Sequence, residues 1–174
     1  MTIRKILTEP DPFLRQKSEP VEKVDDSIRK IMDDMLETMY DAPGIGLAAI
    51  QIGVPKRIIV LDISKDPEKK EPMYFVNPEK IYTSKDQATY EEGCLSVPGQ
   101  FAEIDRPDKC HIKYLDYNGD SKELKAEGLL ATCIQHEMDH LEGILFIDYL
   151  SKLKRSMITK KLSKQKRELE RIVV

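Results

Sequence analysis

The sequence predicts an α+β fold, with small antiparallel or mixed sheets packed around a central helix and further helices toward both ends. Two segments, 25–40 and 127–142, carry apolar residues at the spacing of three and four that is typical of helices. Residues 57–63 instead form a short run rich in β-branched residues, which indicates a buried strand. Asn118-Gly119, between two candidate strands, predicts a β-hairpin.

Three helices are predicted in order along the chain. The first runs from Asp25 to Tyr40, where the acidic start favours a helix N-terminus and Pro43-Gly44 ends it. The central helix, 127–142, is closed by Gly143 just past its last turn. A strongly basic helix covers residues 151–171. The apolar stripes of the first two consist of Ile28, Ile31, Met32, Met35, Leu36 and Met39, and of Leu129, Leu130, Cys133, Ile134 and Leu141.

Several short strands complete the prediction. They are rich in β-branched or aromatic residues, or are bounded by turn residues, and one further strand is expected just before Cys94. The segments are 2–7, 57–63, 73–77, 80–84, 109–117 and 122–126.

Length and charge narrow the class of protein. A chain of 174 residues is long enough for one core, so we expect a single domain over residues 1–174. The net charge of -3 gives no reason to expect DNA binding, and no apolar run approaches the length of a membrane span. Three cysteines at no paired spacing favour a reducing compartment. They are Cys94, Cys110 and Cys133.

The most informative segment is QHEMDH, residues 135–140. His136 and His140 are four residues apart on a helix, so both imidazoles face the same side and can bind one metal ion. Glu137 lies between them, where a carboxylate can accept a proton from activated water. The pattern predicts a catalytic metal site, which also needs a third protein ligand.

Cys94 is the best candidate for the third ligand, because a thiolate binds divalent metals strongly. Two alternatives fit known metalloprotease patterns less well. A downstream histidine is excluded, since Phe146 stands at the position where one would be expected and no histidine follows His140. A downstream glutamate would have to be Glu168 or Glu170, both in the basic last helix.

The sequence resembles the peptide deformylase family through three motifs in the family's order: GIGLAAIQ (44–51), EGCLS (92–96) and QHEMDH (135–140). The resemblance implies that Cys94, His136 and His140 hold the metal and that Glu137 is the general acid and base. It also implies that Gln51 and the backbone N–H of Leu95 bind the formyl oxygen. The implied substrate-binding residues are Gly44, Ile45, Gly46, Tyr90, Glu92, Gly93, Leu129, Thr132 and Cys133.

The same resemblance implies a cofactor, partners and a compartment. The expected cofactor is one divalent ion, ferrous iron in the cell, which zinc, nickel or cobalt can replace. The expected substrates are N-formylmethionyl peptides, whose formyl group is released as formate. The basic helix is implied to dock on the ribosome near the exit tunnel, in a bacterial cytoplasm or an organellar matrix.

Four further residues carry weaker expectations. Phe101 stands where many relatives of the resembled family have an arginine, near the second residue of the substrate. Arg106 and Asp139 resemble a buried pair that braces the metal-binding helix. His111 has no partner motif and is interpreted as a surface residue.

Overall fold

The computed structural model describes residues 1–172, which form an α+β fold with antiparallel sheets, as the sequence predicts. The three α-helices over these residues are α1 (Asp26–Asp41), α2 (Gly128–Leu141) and α3 (Lys152–Ile172). The strands are β1 (Gly46–Ala48), β2 (Ile58–Leu61), β3 (Met73–Thr83), β4 (Gln87–Cys94), β5 (Val97–Pro107), β6 (Lys109–Leu115) and β7 (Ser121–Glu127). Short 3-10 helices cover Pro12–Arg15, Ala49–Ile52 and Phe146–Tyr149.

The strands form two antiparallel sheets. The larger has the order β1-β2-β3-β6-β7, and the smaller is the β4-β5 hairpin. Strand β1 is therefore an edge of the larger sheet, and β4 pairs on one side only, with β5. The free edges of β1 and β4 have no strand partner in the described chain, and both border the site described below.

The larger sheet lies between α1 and α2, and strand β2 shows why. Its residues alternate between the two faces and all four are buried. Ile58 and Val60 pack with the methionines of α1, whereas Ile59 and Leu61 pack with α2. A strand covered on both faces must be apolar at every position, so it is an unbroken apolar run in the sequence.

The ends of the first two helices follow the predicted signals. The Asp25 side chain accepts a hydrogen bond from the backbone N–H of Ile28 and caps α1. Gly143 follows α2 with φ of 75°, and a Cβ there would collide with the carbonyl of Arg15. The chain can therefore leave α2 in this tight turn only with glycine at this position.

Three details of the predicted strands are wrong. Residues 2–7 form no strand, because side chains of α1 bind their backbone: Asp34 accepts from Thr2 N at 2.8 Å and Thr38 from Arg4 N at 2.9 Å. The segments 73–77 and 80–84 are one strand, β3, with a register shift where Asn77 has positive φ. The pattern also did not predict β5, most of whose residues are exposed or only partly buried.

Helix α3 covers the predicted range to within one residue at each end. It packs on the β4-β5 side of the molecule through Leu162, which is 4% exposed, and through Ile158. The apolar side chains of Leu153, Met157 and Leu169 are instead exposed. Among residues 1–172, no helix combines the length and apolar character needed to cross a membrane.

Candidate active site and metal centre

The structure brings together the three residues predicted to bind a metal. Cys94 ends β4, and His136 and His140 lie one turn apart on α2. Their ligand atoms all lie within 4.8 Å of one another, and Cys94 Sγ is 3.3 Å from His140 Nε2. Neither Glu168 nor Glu170 belongs to this group; both are on the exposed part of α3.

The donor set fits a four-coordinate divalent ion. In a tetrahedral site, with a metal–sulfur bond of ~2.3 Å and metal–nitrogen bonds of ~2.0 Å, the sulfur and nitrogen ligands are roughly 3.5 Å apart. The observed separation of 3.3 Å agrees with this value. Burial lowers the pKa of His140, which keeps its imidazole neutral and able to donate a lone pair. The site offers three protein ligands and leaves a fourth position for water or substrate.

A buried ion-pair network sets the orientation of His136. Its Nδ1 lies 2.8 Å from Glu92 Oε1, which directs Nε2 toward the metal position. Arg106 donates to both carboxylate oxygens of Glu92, at 2.7 and 2.9 Å, and to Asp139 at 2.8 Å. Tyr149 donates to the same Asp139 oxygen at 2.7 Å. The predicted pairing of Arg106 with Asp139 is therefore present, and both residues are buried.

The side chain of Glu92 is part of this network, and the residue also lines the cavity described below. Its side chain is buried and is committed to His136 and Arg106. Burial raises the pKa of Glu92, but the hydrogen bonds from His136 and Arg106 outweigh this effect and hold it below its usual range. The carboxylate therefore stays ionised and acts on the metal centre through His136.

Glu137 is placed and tuned for proton transfer. It is 5% exposed, its Oε1 is 4.0 Å from His136 Nε2, and its Oε2 has no hydrogen-bond partner in the described chain. Burial raises its pKa to about 7. A carboxylate with such a pKa can accept a proton and return it at neutral pH.

Gln51 lies on the 3-10 helix after β1, and its side chain reaches Cys94. Its Oε1 accepts from Ala48 N at 2.9 Å, and its Nε2 donates to Ser96 Oγ at 2.9 Å. The same Nε2 is 3.6 Å from Cys94 Sγ. These bonds set which end of the amide is the donor, so an N–H₂ group is presented beside the metal ligands. The role of Ser96 in holding Gln51 was not predicted, because the EGCLS motif does not reveal which side chain its serine contacts.

The metal centre lies beside a cavity of about 450 Å³ between the two free strand edges. One wall is the segment 43–46 leading into β1, and the other is β4 with the turn into β5. The cavity walls include all of the predicted substrate-binding residues together with Leu95: Gly44, Ile45, Gly46, Tyr90, Glu92, Gly93, Leu129, Thr132 and Cys133. His111 lies elsewhere, on β6, where it is half-buried 3.2 Å from Glu123.

Comparisons with known proteins agree with this geometry. The family model described as polypeptide deformylase matches residues 3–156. The peptide deformylase of Pelagibacter ubique is 71% identical over 168 residues, which are 95% of this chain and 96% of that one. The Ehrlichia chaffeensis peptide deformylase, crystallised with actinonin, has a TM-score of 0.92 and 47% identity, covering 96% and 99% of the two chains. That of Legionella pneumophila has a TM-score of 0.89 and 49% identity, covering 98% and 99%.

The three sequence motifs, the geometry of the metal ligands and the relatives that cover nearly the whole chain all indicate the same family. The chain belongs to the peptide deformylase family.

Proposed function

We propose that the protein is a metal-dependent amidase that hydrolyses the formyl group from the N-terminal methionine of newly made polypeptides and releases formate. The observation that carries this proposal is the position of Glu137. Its unpaired carboxylate oxygen lies next to three converging metal ligands, in a cavity open to an extended chain. Hydrolysis needs these three features together: a Lewis acid, a proton acceptor and room for the substrate.

The two free strand edges suit a peptide bound in extended form. Backbone N–H and C=O groups on the β4 edge can pair with a peptide strand, as can those of the segment 44–46. A peptide in this position has its N-terminal end at Cys94 and its first side chain in the buried part of the cavity. Leu129, Cys133 and Thr132 line that part, and only Leu129 is more than slightly exposed.

The chemistry divides among residues of this chain. Cys94, His136 and His140 would hold the ion, which supplies Lewis acidity and lowers the pKa of water when it is bound. Glu137 accepts a proton from the attacking water and donates it to the leaving amine of methionine. Gln51 Nε2 and the backbone N–H of Leu95 donate to the formyl oxygen as it becomes negative, an interaction worth ~3 kcal/mol for each donor.

Formate release from formyl-Met-Ala-Ser by the metal-loaded protein tests this function. Glu137→Gln preserves the size of the side chain but removes the proton acceptor, so we expect metal to be retained and turnover to fall at least ~1000-fold. Cys94→Ala leaves two ligands, so we expect the metal to be lost during purification. Near-normal turnover in Glu137→Gln would disprove the role of this residue, and a full metal content in Cys94→Ala would place the third ligand elsewhere.

The same assay separates two other functions. An endopeptidase with the same helix motif would cleave internal peptide bonds and leave the formyl group attached to methionine. A ribosome-binding protein without catalysis would release no formate. The simultaneous convergence of Cys94, His136, His140 and Glu137, with Gln51 beside them, favours the amidase over both.

The native ion is proposed to be ferrous iron, with zinc, nickel or cobalt as replacements. One thiolate and two imidazoles accept all four ions. With iron bound, we expect exposure to air to inactivate the protein, because peroxide formed from oxygen and ferrous iron oxidises the Cys94 sulfur. Mass spectrometry of the Cys94 peptide should show this oxidation in the iron form and not in the nickel form, and catalase should slow it. An unoxidised Cys94 in the inactivated iron form would refute this explanation.

Helix α3 is proposed to bind the ribosome near the exit tunnel. Its exposed surface carries many basic side chains, which favour contact with RNA phosphates in a salt-dependent way. Removing the helix would uncover the core around Leu162, so substitution is the better test. We expect replacement of the exposed Lys160, Lys161, Lys164 and Arg167 by glutamine to weaken sedimentation with ribosomes at low salt while formate release continues. Unchanged sedimentation would show that these four side chains do not contribute to ribosome binding.

The proposed substrate, an N-formylmethionyl polypeptide, is made where translation starts with formylmethionine. We therefore propose the cytoplasm of a bacterium or the matrix of an organelle as its compartment.

A further inference from the structure

Two large apolar side chains are exposed at the mouth of the cavity. Phe101, on β5, is 65% exposed, and Ile45, just before β1, is 48% exposed. Both line the cavity. Exposed apolar residues scattered over a surface need no explanation, but a group of them around a cavity marks a contact surface for a ligand.

The strand register sets the Phe101 ring beside the free edge of β4. Phe101 is paired directly with Gly93, and the side chains of directly paired residues lie on the same face of a sheet. A Cβ on Gly93 would be 2.5 Å from Phe101 Cε1 and 2.6 Å from Cδ1. The ring therefore lies across the backbone of Gly93, which has no side chain to block it from the cleft.

The β4-β5 hairpin has two different faces. The inner face carries Glu92, whose buried carboxylate holds His136. The outer face carries Glu91, Gly93 and Phe101, because these positions alternate with Glu92 along the paired strands. Glu91 is exposed, lines the cavity and is paired with Glu103, so the outer face is both apolar at the ring and negatively charged next to it.

A peptide strand added along β4 obeys the same alternation. If its first side chain occupies the buried part of the cavity, its second must point to the outer face. The ring of Phe101 and the carboxylate of Glu91 are on that face. This step rests on the proposed function, which fixes where the N-terminal residue of the peptide lies.

We propose that Phe101 determines substrate specificity by favouring an apolar residue directly after formylmethionine, and that Glu91 disfavours an acidic residue at the same position. The Phe101 ring is held in place before substrate binds, because it packs on Gly93. The backbone of Ile45 on the opposite wall is also held in place, since its carbonyl accepts from Asp62 N at 2.9 Å. A preformed apolar contact improves binding without the cost of ordering flexible groups.

The size of the preference follows from the area that an apolar side chain can cover. Contact with one face of a half-exposed ring removes about 40 Å² of apolar surface from water, and at ~25 cal/mol per Å² this corresponds to roughly fivefold in kcat/KM. The charge of Glu91 adds a penalty of about twofold to threefold for an acidic residue at low salt, because both groups are exposed to solvent.

The test uses formyl-Met-X-Ser peptides with X as Phe, Leu, Ser or Asp and measures kcat and KM for each. For the metal-loaded wild-type protein we expect kcat/KM to be roughly fivefold higher for Phe and Leu than for Ser, with Asp lowest. Phe101→Ala should reduce the ratio of Phe to Ser to below about twofold, mainly through KM. Phe101→Leu should preserve the preference, which separates loss of the apolar surface from a folding defect.

Two further variants complete the design. Tyr82→Ala removes a similarly exposed aromatic side chain, 58% exposed, from a strand away from the cavity, and the preference should be unchanged. Glu91→Gln should bring kcat/KM for Asp closer to that for Ser, and added salt should have the same effect in the wild-type protein.

The outcomes separate this proposal from the function on which it rests. Equal kcat/KM for all four peptides, or a preference that survives in Phe101→Ala, would overturn the role of Phe101 and leave the amidase function standing. Absence of formate release from every peptide would overturn both.

Discussion

Substitution of Gly46 by alanine should displace the carboxylate of Glu137, the proposed proton acceptor, with only a moderate loss of stability. Gly46 does not have a positive φ, so alanine causes no backbone strain there. Its Cβ would lie 2.6 Å from Glu137 Oε1 and 2.8 Å from Leu61 Cδ2. Leu61 is fully buried in β2 and has little freedom to move, so most of the adjustment falls on Glu137. Relative to an ordinary contact of 3.4 Å, the oxygen must retreat by about 0.8 Å.

A displacement of this size has a large effect on rate. Misplacing a reacting group by ~1 Å costs about 100-fold, so we expect kcat for formate release to fall by that order. The metal ligands are untouched, so metal content should be unchanged, and the clash with the Leu61 methyl should lower the free energy of unfolding by about 1–2 kcal/mol. The measurements are kcat and KM on formyl-Met-Ala-Ser, metal analysis, and denaturant unfolding.

Gly44→Ala is a matched control two residues away. Its Cβ would also lie 2.6 Å from another atom, but that atom is the end of the Leu95 side chain, which can rotate. We expect its kcat to fall less than about tenfold, with more of the effect in KM. If Gly46→Ala, with full metal content, retains kcat within threefold of wild type, or if the two variants lose kcat equally, the position of the Glu137 carboxylate does not limit the rate.

Three other predictions concern stability and the support of the metal site. Burial raises the pKa of Asp34, but the hydrogen bonds from Thr2 N and Arg4 outweigh it and lower the pKa below 3.8. Asp34→Asn should therefore destabilise the fold by ~2 kcal/mol at pH 7, and the difference from wild type should shrink as the pH falls through the lowered pKa, as measured by denaturant unfolding. Arg106→Met leaves two buried carboxylates without their cation, so we expect a loss of ~3–5 kcal/mol in unfolding free energy and a 10–100-fold weaker metal affinity by titration. Leu162→Ala should cost ~2–4 kcal/mol because the side chain is 4% exposed, whereas Leu153→Ala, at 72% exposure, should change stability by less than ~0.5 kcal/mol.

Each of these has a contrary result. A difference between wild type and Asp34→Asn that is equal at pH 7 and pH 3 would show that charge is not what Asp34 contributes. Normal metal affinity in Arg106→Met would mean that Glu92 orients His136 without the guanidinium. Equal losses for Leu162→Ala and Leu153→Ala would contradict the packing of α3 on the β4-β5 hairpin.

The sequence predicted the parts of this protein that depend on neighbours in the chain. The helices α1, α2 and α3 were predicted to within one residue at each end, because helix periodicity and capping are local signals. The spacing of His136 and His140 likewise places two imidazoles on one face of a helix whatever the rest of the chain does. The strand predicted at residues 2–7 was wrong because the backbone N–H groups of Thr2 and Arg4 bind side chains 32 and 34 positions away on α1, which no local pattern reveals.

What the tertiary structure decided are the relations between distant segments. Cys94 was the best third ligand on chemical grounds, but only the packing of β4 against α2 brings its sulfur to 3.3 Å from His140. The network from Arg106 through Glu92 to His136 joins residues up to 44 positions apart, and a buried charge has no sequence signature until its partners are known. The contact of Phe101 with Gly93 likewise follows from the pairing register of two strands, which side-chain packing and the turn set together. Residue chemistry and local periodicity are properties of the sequence, whereas the distances that make a site are set by how the elements pack.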